Sequence, residues 1–94
     1  MSAVRITWAR SATRHGIGKA RSGHVIEHAG LAYRVSAPEG RPDDRLVFLG
    51  DDTDGFALEV MAIEREHGGI HVIHAMPMRP KYQERYEEAK RWRV

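Results

Sequence analysis

HVIHAMPMRPKYQERY, residues 71–86, changes character twice. Its apolar residues as far as Met76 read as a β-strand, Pro77 cannot donate to a ladder and so ends it, and the ring of Pro80 presets φ for the first position of a helix. The helix then begins with Arg79 and Lys81, although the unpaired N–H groups and dipole of a helix start favour carboxylates. A strand that turns through two prolines into a closing helix sets the last part of the fold. The misplaced positive charge makes the same corner a candidate anion site.

Working outward, RLVFLG (45–50) and FALEVMAIERE (56–66) are strand-like runs joined by DDTDG, which predicts a hairpin. HGG then turns the chain into the strand IHVIHAM (70–76). LAYRVSAP (31–38) reads as a strand closed by Pro38, and EGRPDD as a loop. VRITW (4–8) is a short β-prone run, and Ser11 is a capping residue type, so a short helix is expected before Gly16 and Gly18. A second helix of about three turns is expected in KARSGHVIEHAG, with Ala20, Val25, Ile26 and Ala29 available for packing. The reading is an α+β domain over residues 1–94: a curved antiparallel sheet of about four to five strands, with two N-terminal helices and a C-terminal helix against one face.

The chain has 94 residues, 41% hydrophobic and 30% charged, which suits one domain with room for one site and none for a cofactor domain. It has no cysteine, excluding disulfides, thiolate metal sites and thiol nucleophiles. No apolar run approaches the roughly 20 residues that span a bilayer, and the N-terminus lacks the apolar segment of a signal peptide. A cytoplasmic protein with no membrane partner is expected. The formal net charge is only +2, but it is unevenly placed. Arg5, Arg10, Arg14, Lys19 and Arg21 form one basic segment, and Arg79, Lys81, Arg85, Lys90, Arg91 and Arg93 another, with Asp43, Asp44, Asp51, Asp52 and Asp54 between them. If the two ends meet, they present a basic face suited to a polyanion. Glu84, Glu87 and Glu88 offset the second cluster if they share its helix.

HVIEH (24–28) has the His-x-x-Glu-His order of one class of zinc peptidase, with its two histidines one helical turn apart. A peptidase of that class also needs a distant third ligand and a cleft built by a longer chain, so the structural reading is preferred and no metal or cofactor is expected. DDTDG resembles the opening of a calcium loop but lacks the closing glutamate, which makes it a turn. His67 and His71 fall at or near a loop. His74 is expected to share a sheet face with Val72 and Met76, either as a satisfied core histidine or as a general acid or base.

The proline corner supplies His74 with neighbours. Arg79, Lys81 and Tyr82 would project close to it, and these residue types without metal or cysteine are the parts of a metal-independent ribonuclease. In that role His74, Arg79, Lys81 and Tyr82 form the catalytic set, with His74 as acid or base, Arg79 stabilising the crowded phosphorane, Lys81 contacting the phosphate and Tyr82 stacking or orienting, while Arg14, Arg10 and Arg85 bind RNA. The competing reading makes Tyr82, Tyr86 and Ala89 a core stripe and leaves Arg79 and Lys81 in solvent. Tyr86 and Ala89 belong to the stripe in either case.

The segments ITW, RHGI (14–17), GFALEVMAIERE and HVIHAMPMRPKYQER, taken in order, resemble BrnT-like toxins of bacterial type II toxin–antitoxin modules, in the RelE/ParE superfamily. The resemblance implies a RelE-like fold and an endoribonuclease that cleaves messenger RNA to arrest growth. It also implies a tightly bound antitoxin with a ribbon-helix-helix DNA-binding region. Arg14 matches the basic residue of a KHG-like motif, Arg79 the arginine ending the last strand, and Trp8 the aromatic of the first strand. The alternative is a non-enzymatic module whose basic face binds nucleic acid or an acidic partner.

Overall fold

The computed structural model describes residues 5–29, 32–41 and 43–92. Val4, Leu31 and Arg93, and the side chain of His67, lie outside what is described. The elements are β1 (Ile6–Trp8), α1 (Lys19–His28), β2 (Ala32–Val35), β3 (Arg45–Asp51), β4 (Ala57–Glu64), β5 (Ile70–Pro77) and α2 (Gln83–Trp92), with 3-10 turns at Arg10–Thr13, Glu66–Gly68 and Pro80–Tyr82. The strands form one sheet in the order β1-β5-β4-β3-β2. Every neighbouring pair is antiparallel except β1 with β5, which run parallel through Ile6–Ile70, Thr7–His71 and Trp8–Val72. The sheet is therefore mixed, because β1 enters at the edge beside the last strand. None of the described helices is long and apolar enough to cross a membrane.

The central strand explains the layering. In ALEVMAIE, alternate residues face opposite ways, and both sets are largely apolar, as a strand covered on both sides requires. Leu58, Val60 and Ala62 join a core with Val25 of α1, Ile17, Ala12, Ile70, Val72 and Ala75. On the other face Val47 and Leu49 pack with Tyr82 and Tyr86, and with the half-buried Ala57, Met61 and Tyr33. The helices thus lie on opposite faces of the sheet, not on one as the sequence reading expects. Removing a core Val or Leu from water contributes about 1.5–3 kcal/mol, so both faces need their cover. Tyr82, Tyr86 and Ala89 are buried at helical spacing, which is the stripe by which α2 docks.

The expected first helix is only a 3-10 turn at Arg10–Thr13. Ser11 does not cap it: its hydroxyl donates to the carbonyl oxygen of Ile73 at 3.0 Å. Ala9 stands at the cap position without a side-chain bond, and Gly16 turns the chain at φ 79° before a longer helix could nucleate.

Ile73 is the extra residue of a β-bulge. Ala62 pairs with Val72 and Met61 with His74, so Ile73 has no opposite number on β4. Strict alternation places Val72 and His74 on one face, whereas the bulge separates them. Val72 stays under α1, and His74 turns to the α2 face, beside Met61, Glu59 and Met76.

Candidate functional site: an imidazole and a guanidinium on a buried carboxylate

Glu59 is the acidic residue in the interior of an otherwise apolar run, and its side chain is fully buried. A carboxylate taken out of water must be hydrogen-bonded and paired. The proline corner supplies what it needs. The backbone N–H of Arg79 donates to Glu59 Oε1 at 2.9 Å, Arg79 Nε donates to the same oxygen at 2.9 Å, and Nη2 donates to Oε2 at 2.6 Å. His74 Nε2 lies 3.1 Å from Oε2. The corner itself is fastened by the Met78 N–H to the carbonyl of Ala57 at 3.0 Å.

Burial pushes the Glu59 carboxyl up, but the side-chain and backbone hydrogen bonds and the charge of Arg79, with the His74 bond, outweigh it. The net result holds the group below its ordinary 4.5. An ionised carboxylate only accepts, so His74 Nε2 carries the proton in this pair and Nδ1 keeps its lone pair. No other described residue bonds that Nδ1. Burial, opposed by Glu59 and reinforced by the charge of Arg79, holds His74 below its ordinary 6.5. The imidazole is therefore neutral near pH 7, with one nitrogen fixed and the other able to take a proton.

The charge that looked misplaced at the start of the last helix has an anion of its own. Arg79 spends its N–H on Glu59, Pro80 has none, and the N–H groups of Tyr82 and Gln83 donate to the carbonyls of Arg79 and Pro80. The expected open backbone anion site is thus largely closed by Glu59 and the 3-10 turn. What remains outward is the rest of the guanidinium: its side chain is 40% exposed, and its Nη1 edge makes no bond to Glu59.

Other candidate residues divide into near and far. Lys81 and Arg79 lie over the ring of Tyr82, at 5.1 and 5.7 Å, so Lys81 stays at the corner while Tyr82 is buried in the core. Arg10 and Arg14 belong to the segment that wraps the edge of β5. Arg85 lies elsewhere, 4.8 Å over the ring of Tyr33 on β2. The two basic segments meet only in part, since Arg21 and Lys19 sit with α1, Arg21 paired to Asp52 and Lys19 over the Trp8 ring.

Sequence reasoning missed two residues here. Glu59 was visible as a charge within an apolar strand. His15 lies in the RHGI segment, where the resemblance singles out Arg14, and only the docking of that segment brings its ring to within 5.7 Å of the His74 ring, edge to face at 66°.

The two motifs set aside are accounted for locally. His24 and His28 stack at 4.2 Å on α1, with His28 Nδ1 3.0 Å from the His24 carbonyl oxygen, and no metal-ligand cluster occurs among the described residues. In DDTDG, Asp52 Oδ1 accepts the N–H groups of Asp54 and Phe56, which makes it a turn organiser. No family model matches the chain, and neither a curated protein nor a solved structure does.

Proposed function

We propose that this chain is a metal-independent endoribonuclease of the BrnT-like toxin type. The observation that carries the reading is the convergence of Arg79 and His74 on one buried carboxylate, with Nδ1 of a neutral imidazole and part of a half-exposed guanidinium left clear of Glu59. Cleaving an RNA phosphodiester without metal needs a base for the ribose 2′-hydroxyl and a cation for the phosphorane. His74 Nδ1 fits the first task and Arg79 the second, with Lys81 and Arg14 as outlying phosphate contacts. Glu59, which solvent and substrate do not reach, positions both groups. The resemblance adds messenger RNA as the target, the cytoplasm as the place of action, and a ribbon-helix-helix antitoxin as the partner that silences the toxin.

The purified chain, incubated with RNA in EDTA, should yield fragments, and its expression alone should arrest bacterial growth. Arg79→Lys keeps a charge but loses the two-pronged grip, and should abolish cleavage while retaining a cooperative melt. Intact RNA with binding that weakens steeply as salt rises would instead favour the non-enzymatic nucleic-acid-binding module.

A further inference from the structure

Cleavage by a single base leaves half the proton inventory unassigned, because the departing 5′-oxygen must also gain a proton. We propose that His15 is the second catalytic imidazole, the general acid opposite His74, and that the site acts on phosphodiesters bearing an adjacent 2′-hydroxyl. This rests on the ribonuclease reading above. His74 Nδ1 takes the 2′-hydroxyl proton, the 2′-oxygen bonds to phosphorus as the bond to the 5′-oxygen breaks, and His15 gives its proton to that oxygen. The products are a 2′,3′-cyclic phosphate and a 5′-hydroxyl, and no oxidant, metal or co-reactant is consumed.

Three observations carry the assignment. The ring of His15 lies against that of His74, with centroids 5.7 Å apart, so one phosphate lying across the pair would meet both imidazoles. The placement is built, because the 3-10 turn before His15 is pinned to the bulge by the bond from Ser11 to Ile73 and by the Ala9 N–H to the Val72 carbonyl at 2.8 Å. Glu59 engages His74 but makes no bond to His15, so the two imidazoles are held differently. The ionisable groups facing His74 are Glu59 from β4, Arg79 from the corner and His15 from the edge. His15 itself faces His74, with Arg14 beside it in sequence.

A leaving-group comparison tests the division of labour. His15→Gln and His74→Gln should each lower cleavage of a uridylyl-adenosine dinucleotide by about 100-fold or more. On uridine 3′-(4-nitrophenyl) phosphate, whose leaving group departs without a proton, His15→Gln should run close to wild type and His74→Gln should stay slow. The alkaline limb of the kcat/KM profile should disappear in His15→Gln while the acidic limb remains. His15 is exposed, so its replacement leaves the core intact. Wild-type cleavage of the dinucleotide by His15→Gln, or an equal loss on both substrates, overturns the acid role and leaves the ribonuclease reading standing. A wild-type protein inert on both substrates overturns the reading itself and this assignment with it.

Discussion

Asp52 and Glu59 are both buried carboxylates, each held by an arginine and each below its ordinary pKa, yet they do different work. Asp52 is 4% exposed and takes two of its donors from the turn it sits in, at Asp54 and Phe56, while Arg21 reaches it from α1 at 2.8 Å. Its remaining bonds are absorbed in shaping DDTDG, where Gly55 adopts φ 86°. Glu59 sits in mid-strand, where its own neighbours offer no free N–H, so its donors come from residues 15 and 20 positions away. One carboxylate closes a loop. The other assembles distant groups, and leaves the Arg79 side chain 40% exposed and His74 Nδ1 clear of it. A buried charge is therefore most informative when its partners are themselves able to react.

The sharpest way to break this contrast is to remove each arginine. Arg79→Ala leaves Glu59 fully buried with one backbone N–H and His74, and should cost about 3 kcal/mol, the low end for a broken buried pair because His74 can then take up a proton. At roughly 4–8 °C per kcal/mol, the melting temperature should fall by about 12–24 °C. In the same variant the His74 pKa, followed by NMR, should rise, since the charge of Arg79 now opposes its protonation. Asp52→Ala should cost about 2 kcal/mol through the turn N–H groups it orphans, measured by denaturant unfolding. Arg21→Ala should cost only about 1 kcal/mol, because that side chain is 37% exposed and Asp52 keeps its turn donors. His28→Ala should stay within about 0.5 kcal/mol, as an exposed helical site does.

Acidification sharpens the comparison further. His74 in the folded protein binds a proton less readily than its ordinary 6.5, so stability is full above that pH and declines as pH falls below it. Glu59 and Asp52 are also held below their ordinary 4.5 and 3.8, and the stability they contribute is lost as pH falls through their folded values. The melting temperature should thus fall in two stages, the first assigned by its disappearance in His74→Gln. On the alkaline side Tyr33, whose hydroxyl is buried without a partner among the described residues, is pushed up to about 12 by burial first, and by neighbouring Tyr82 and Glu59 against the lowering effect of Arg85. Unfolded tyrosine ionises near 10, so stability should decline between there and about 12.

The strands, α1, the hairpin and the docking stripe of α2 were legible because each rests on a short-range pattern. The layering and the site were less so. That two helices cover opposite faces follows from β4 being apolar on both sides, a pattern visible in LEVMA that the expected one-face layering leaves out. The place of β1 beside β5 is a long-range pairing that no local signal specifies. His74 and Arg79 were identified from the residues around the prolines. Their common partner, Glu59, shows in the sequence only as a lone acid in an apolar strand, and it is burial that turns such a charge into an organising group. His15 depended on a turn docking against a bulge, and a bulge shifts the face of every residue after it without changing composition.

That bulge behaves as a spare link. Every pair between β4 and β5 on either side of Ile73 would still meet if the residue were deleted, since Val72 and His74 already oppose consecutive positions of the partner strand. The deletion would, however, take away the peg on which Ser11 hangs the edge segment. Shortening the chain by one residue therefore offers a way to uncouple the outer imidazole from the inner one while leaving the grip of Glu59 on Arg79 untouched.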